Sequence, residues 1–160
     1  MNWEHVSWFV ICIAGFGVPG SAGTQTEKER DPLQEIMGSG PAEDRAAVVR
    51  VLHDYLRVTD AQDQAAIATA FHPTALLSSV TATGAVSALT QDAWWERVAR
   101  ISPNTPVRIS KIVLVDTAGI SGVARIDITD AQGNNSTDFF TLLKTKSGWR
   151  IVNKTLSVPL

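Results

Sequence analysis

Residues 121–158 read SGVARIDITDAQGNNSTDFFTLLKTKSGWRIVNKTLSV. In the first part Ala124, Ile126 and Ile128 alternate with Arg125, Asp127 and Thr129, the period-two pattern of a strand with one buried face. Gln132-Gly133-Asn134-Asn135 and Lys146-Ser147-Gly148 interrupt the apolar runs with hairpin-turn chemistry, and Ala118-Gly119 does the same just upstream. Four consecutive strands follow from this, over Val107–Thr117, Ser121–Asp130, Ser136–Thr145 and Trp149–Val158. They form an antiparallel meander.

Working back from the meander, the signals are helical. Pro41 stands at a helix start, Glu43 and Asp44 follow where the helix dipole favours acids, and Val48, Val49, Leu52, Tyr55 and Leu56 form one apolar stripe. Arg45, Arg50, His53, Asp54 and Arg57 occupy the other side. Asp60–Asp63 ends that helix, and Gln64–Phe71 reads as a short Ala-rich helix stopped by His72-Pro73. A hairpin follows, Ala75–Ala82 and Ala85–Leu89 about a turn at Thr83-Gly84. Thr90 then caps a third helix carrying Trp94, Trp95, Val98 and Ile101, which Pro103 and Pro106 stop. The reading is α+β: three N-terminal helices packed on one face of a curved antiparallel sheet, which encloses a pocket.

The domain so defined spans 42–160. Ahead of it, Trp8–Val18 is an unbroken apolar or Gly run, followed by small residues at Gly20-Ser21-Ala22. Eleven such residues fall short of the roughly 20 a membrane-spanning helix needs and suit a signal peptide, so 1–22 is expected to direct export and to be cleaved after Ala22. The mature protein would then be secreted or periplasmic, with no membrane span. Residues 23–41, rich in Gly and charge, read as a flexible N-terminal arm in which Leu33, Ile36 and Met37 could form one docking turn. Cys12 is the single cysteine and lies in the signal, which excludes disulfides and thiolate chemistry from the mature chain.

Lys and Arg total 14 against 16 Asp and Glu, leaving no electrostatic footprint for nucleic acid. His5 is in the signal, His53 is on the polar helix face and no HExxH stands in the chain, so neither metal nor other cofactor is expected. No Ser sits in a GxSxG elbow. Asn134, Asn135 and Asn153 begin N-x-S/T sequons.

The helix ending Asp54-Tyr55-Leu56, the acidic turn at Asp63, the segment Phe71-His72-Pro73-Thr74-Ala75, and the pair Asp138–Lys144 with Gly148–Lys154 together resemble the nuclear transport factor 2-like superfamily. Within it they resemble the lumazine-binding-type branch, over roughly Ala42–Val158. That resemblance implies a cone-shaped fold and, as in many relatives, a homodimer through the outer sheet face. It implies no one activity, because the superfamily holds isomerases, dehydratases, cyclases, hydrolases and proteins without catalysis. In its ketosteroid isomerases an Asp base works with a Tyr and a protonated Asp as oxyanion donors. Tyr55 falls on that tyrosine, Phe71 on a phenylalanine ending the second helix, and Asp138 near the second acid, while the base position falls on Ser79. Serine cannot abstract a carbon-bound proton as a carboxylate does.

Three candidates for chemistry follow, Tyr55, His72 and Asp138. Each also has a structural reading. Tyr55 is on the apolar stripe and could simply pack; His72 could cap a helix end instead of serving as a base at the pocket mouth; Asp138 shares a side with Phe140 and Leu142, which is either concave or wet. The expected ligand-pocket lining is Tyr55, Phe71, Trp94, Phe140 and Leu142. Trp94 and Trp95 cannot both face the core, so at least one is expected to be partly exposed, at a pocket rim or in a dimer contact, although either could simply pack. Three functions fit: an exported domain holding a small apolar or amphipathic molecule in a hydrophobic cone, an isomerase-, dehydratase- or cyclase-type enzyme using Tyr55 and Asp138, and a dimerising interaction module.

Overall fold

The computed structural model describes residues 33–100 and 108–157. The expected signal peptide, most of the expected arm, and Ile101, Pro103 and Pro106 lie outside them. Elements run in the order helix α1 (Ala42–Ala61), a 3-10 helix (Gln64–Thr69), strands β1 (Phe71–Val80) and β2 (Val86–Thr90), helix α2 (Gln91–Val98), and strands β3 (Ile109–Ala118), β4 (Ser121–Thr129), β5 (Asn135–Thr145) and β6 (Gly148–Ser157).

The six strands form one sheet in the order β2-β1-β6-β5-β4-β3. Its C-terminal four are the antiparallel meander the turn residues specify. Gly119, in the β3–β4 turn, has φ +60°, a conformation glycine adopts without the steric cost a Cβ brings. The sheet is nevertheless mixed and not wholly antiparallel, because β1 lies parallel to β6. That pairing joins residues 77 to 80 positions apart, and local turn chemistry carries no information about it.

The second helix is shorter and tighter than its composition suggests. Asp63 caps it by accepting from the Ala66 N–H at 3.2 Å, and it ends at Thr69. Phe71, His72 and Pro73 are therefore strand and not helix end. Pro73 is tolerated within β1 because the register with β6 jumps from Phe71 to Leu76, so its missing N–H falls where no ladder bond is required.

Helix α1 crosses the inner face of the sheet with Val48, Leu52, Tyr55 and Val58 fully buried, a spacing that keeps one side chain per turn on the same stripe. Opposite it stand Val115 of β3, Ala124 and Ile126 of β4, Phe140 and Leu142 of β5, and Ile151 of β6. The first turn of α1 is tied down by Asp44, which accepts from Lys144 Nζ at 2.7 Å and from the buried Trp149 indole at 3.2 Å. Both bonds, the Lys144 one first, hold the Asp44 carboxyl below its ordinary value.

Residues 33–41, read from sequence as part of a flexible arm, are anchored. Leu33 and Ile36 form the docking turn, Met37 exchanges backbone hydrogen bonds with Val113 and Val115 of β3, and the Thr117 N–H donates to the Ser39 carbonyl. Arg45, expected on the wet side of α1, donates instead to the carbonyls of Val115 at 3.0 Å and Ile36 at 2.6 Å. The backbone of Gly38 lies so close to Val115 that a Cβ there would collide with its carbonyl.

Candidate functional site

Three elements converge at one end of the inner face. Helix α1 supplies Tyr55 from its buried stripe. Strand β5 supplies Asp138, Phe140 and Leu142, all on one side because successive side chains alternate, and all buried. Strand β6 supplies Lys154 through an irregularity. Its Ile151 pairs with Leu142 but Asn153 pairs with the adjacent Thr141, so Val152 is an extra, bulged residue. The bulge flips the alternation, and Ile151 and Lys154 both face inward.

The three polar side chains form a closed triangle. The Tyr55 hydroxyl donates to Asp138 Oδ2 at 2.8 Å, Lys154 Nζ donates to the Tyr55 oxygen at 2.9 Å, and the Lys154 ammonium lies 2.8 Å from the same Asp138 Oδ2. Tyr55 and Asp138 are each 1% exposed and Lys154 8%. Aromatic rings enclose the group. Tyr55 meets Phe71 edge-on at 5.8 Å and Phe140 at 5.2 Å, Phe71 meets Trp94 at 5.7 Å, and the ammonium sits 5.3 Å from the Tyr55 centroid and 5.5 Å from that of Trp94.

Burial is the main cause that pushes the Tyr55 phenol above its ordinary value; Asp138 adds to the push and Lys154 opposes it. Burial alone would lower Lys154, but Tyr55 and Asp138 together outweigh it and the amine is raised. Lys154 is therefore an ammonium at neutral pH and not a nucleophilic amine poised for imine formation. One oxygen is left over: Asp138 Oδ1 is buried and has no hydrogen-bond partner. A buried acceptor in that state costs free energy unless something reaches it.

The expected residues divide accordingly. Tyr55, Phe71, Trp94, Phe140 and Asp138 come together, and Leu142 lies two residues further along the inner side of β5. The wet alternative for Asp138 is removed. Trp95 is the buried indole of its pair, and Trp94 the half-buried one. His72 makes its hydrogen bonds locally, its Nδ1 at 2.8 Å from the Thr74 hydroxyl and accepting from the Thr74 N–H at 3.3 Å. Ser79, at the position of the isomerase base, shares the strand parity of buried Ala75 and Leu77. Lys154 is absent from the sequence reading because unbroken alternation from Trp149 and Ile151 would put Asn153 inside and Lys154 outside. Next to the triangle Arg108 bridges α1 to the start of β3, donating to Asp60 at 2.8 Å and to the Thr59 hydroxyl at 2.5 Å. Among the described residues no group of three or more His, Cys, Asp or Glu is placed to hold a metal, and no helix is long and apolar enough to cross a membrane.

A helical layer on a curved, mixed six-stranded sheet is the fold of solved nuclear transport factor 2-like proteins. Within that class the chain belongs to the family described as "Putative lumazine-binding", whose model matches residues 43–157. Solved structures agree on the fold. A nuclear transport factor 2-like protein of unknown function from Shewanella baltica is 24% identical, with 76% of this chain and 98% of that chain covered and a TM-score of 0.68. One from Silicibacter pomeroyi is 21% identical over 76% of this chain and all of its own, with a TM-score of 0.66. A protein from Novosphingobium aromaticivorans described as a "putative aromatic ring hydroxylase" is 16% identical over 76% of this chain and 93% of its own, with a TM-score of 0.57. No curated protein matches the sequence.

Proposed function

We propose that this chain is an exported small-molecule-binding protein, addressed to the periplasm or exterior by residues 1–22, that holds a planar apolar or amphipathic ligand between α1 and the inner sheet face. The observation that carries this reading is the unpartnered Oδ1 of Asp138, whose Oδ2 is bonded to Tyr55, the ring against which Phe71, Trp94 and Phe140 pack. Binding sites commonly combine apolar and aromatic lining with a few convergent polar groups, and this is such a set. The family description makes lumazine the natural first probe. Titrating lumazine and a panel of flat heteroaromatics into the protein, followed by nuclear magnetic resonance of the indole N–H signals, tests it. Saturable shifts at Trp94, lost in Phe140→Ala, support the reading; no saturable shift across the panel refutes it. Export is tested separately by N-terminal sequencing of the protein from the host's culture fluid or periplasm, where a first residue of Gly23 is expected.

A second reading concerns assembly. Val123, Phe139 and Leu143 lie on the outer sheet face, each between 38% and 48% exposed, and Leu76 at 46% continues the patch across β6. The register sets Phe139 opposite Arg125, whose guanidinium lies over its ring at 5.9 Å. Exposed apolar patches of this kind mark association surfaces, and pairing through this face in a homodimer is the arrangement proposed.

A further inference from the structure

We infer that the buried triangle selects its ligand by hydrogen-bond polarity: the site accepts, so the ligand is an aromatic heterocycle that presents an N–H to Asp138 Oδ1. This deepens the small-molecule reading above and rests on it. The argument is a count of hydrogens. Lysine has only donors, so both Lys154 contacts run outward from Nζ, to the Tyr55 oxygen and to Asp138 Oδ2. Tyr55 has one hydroxyl hydrogen, and it is directed to Asp138 Oδ2. Asp138 stands as the carboxylate partner of the Lys154 ammonium in a buried ion pair, and a carboxylate has no hydrogen of its own. Its other oxygen can only accept.

The arrangement reverses what the family resemblance implies. With a neutral acid and a free tyrosine hydroxyl, the Tyr55–Asp138 pair would donate two hydrogen bonds to an oxyanion. Lys154 removes both donors, by fixing Asp138 as the anion and turning the Tyr55 hydroxyl onto it. An enolate or phenolate brought to the free oxygen would meet a negative charge.

Asp138 is itself 1% exposed; Leu156, directly across from it on β6 and on the inward parity of Lys154, is 38% exposed and is the side chain a ligand would displace to reach that oxygen. Of the rings packed about the triangle Tyr55, Phe71 and Phe140 are buried and Trp94 is half-buried, so Trp94 is the flat apolar surface that favours an aromatic body for the ligand over an aliphatic amine.

The test compares two matched pairs of probes, lumazine and benzimidazole, each with its fully N-methylated counterpart, by calorimetric titration into the full chain at neutral pH. The N–H compounds are expected to bind about tenfold or more tighter than their methylated partners, as befits a hydrogen bond to a charged acceptor. In the double variant Asp138→Asn/Lys154→Met, which leaves no unpaired buried charge, that preference is expected to fall to about twofold or less. Circular dichroism and melting check that the variant is folded, and the wild-type ratio stands as a test without it. Equal binding of methylated and unmethylated probes overturns this inference and leaves the small-molecule reading intact. Binding of neither member of either pair overturns both.

Discussion

Lys154 Nζ lies 2.8 Å from Asp138 Oδ2 at the inner face of the sheet, although strict alternation along β6 would turn Lys154 to the outside. The pair is almost wholly buried, so both charges have lost their water and depend on one another and on the Tyr55 hydroxyl. Breaking such a pair from one side leaves an unpaired buried charge, whereas removing both partners does not. Lys154→Met is accordingly expected to destabilise the protein by about 3–5 kcal/mol, and Asp138→Leu/Lys154→Met to recover most of that loss. Urea denaturation of the four members of this cycle measures it; additive single-site losses would show that the pair is not coupled.

Tyr55 is the single tyrosine of the chain, so its ionisation can be followed without assignment. Burial first, and Asp138 second, raise its value above the ordinary 10.0. A group whose folded value is raised contributes stability that is complete below the unfolded value and lost as pH rises through the folded one. The tyrosinate ultraviolet band is therefore expected to stay absent in the native protein beyond pH 10.0 and to appear together with loss of structure, while in urea it titrates near 10.0. Smooth titration of the folded protein around 10.0 would show that the phenol is not buried as described.

Asp44 predicts the opposite end of the pH range. Its hydrogen bonds from Lys144 and then Trp149 hold it below the ordinary 3.8. A depressed acid contributes stability that is present above 3.8 and lost as pH falls through its lower folded value. Asp44→Asn is expected to melt several degrees below the wild type at pH 7, with the gap closing as the pH is taken below 3.8. A gap of constant size down to strongly acid pH would place the loss in packing and not in the charge.

Much of this molecule is legible in its sequence because the information is local. The α1 stripe, the Thr90 cap of α2 and the glycine-bearing turns of the meander each occupy a few consecutive residues, and each appears where those residues put it. The parallel union of β1 with β6 is not local, and neither is the docking of Met37 and Ser39 along β3. The candidate site shows the same division. Tyr55 and Asp138 stand on regular elements whose period can be counted. Lys154 follows a bulge that no short motif announces; the polar doublet Asn153-Lys154, where an apolar inward residue should recur, is the one signal that alternation has failed.

The outer face of the sheet carries a prediction about assembly. Phe139 belongs to the exposed patch with Val123 and Leu143, and is 47% exposed in the single chain. A charge placed in such a patch has to be desolvated when the face is covered. Phe139→Asp is therefore expected to shift a dimer to monomer in light scattering at micromolar concentration, with the melting temperature of the monomer little changed. A wild type that is already monomeric at high concentration would refute pairing through this face.

The bulge itself can be removed. Val152 is the one residue of β6 without a counterpart between the pairs Leu142–Ile151 and Thr141–Asn153. Deleting it makes Asn153 follow Ile151 directly, so that both ladder pairs become consecutive and Lys154 still falls two places beyond Ile151, on the inner side. The deletion is thus expected to keep the Tyr55–Asp138–Lys154 triangle, where deletion of a regularly paired residue would turn Lys154 outward. Bulges add local twist, and the flattened strand is expected to be less stable by about 1–3 kcal/mol, the usual range for one disruptive change. The readout is the cost of Lys154→Met: if it is as large in the deletion as in the wild type, the triangle is kept and the bulge sets the curvature of β6 and not the site. A Lys154→Met change that costs little in a folded deletion would show that Lys154 reaches Asp138 only through the bulge.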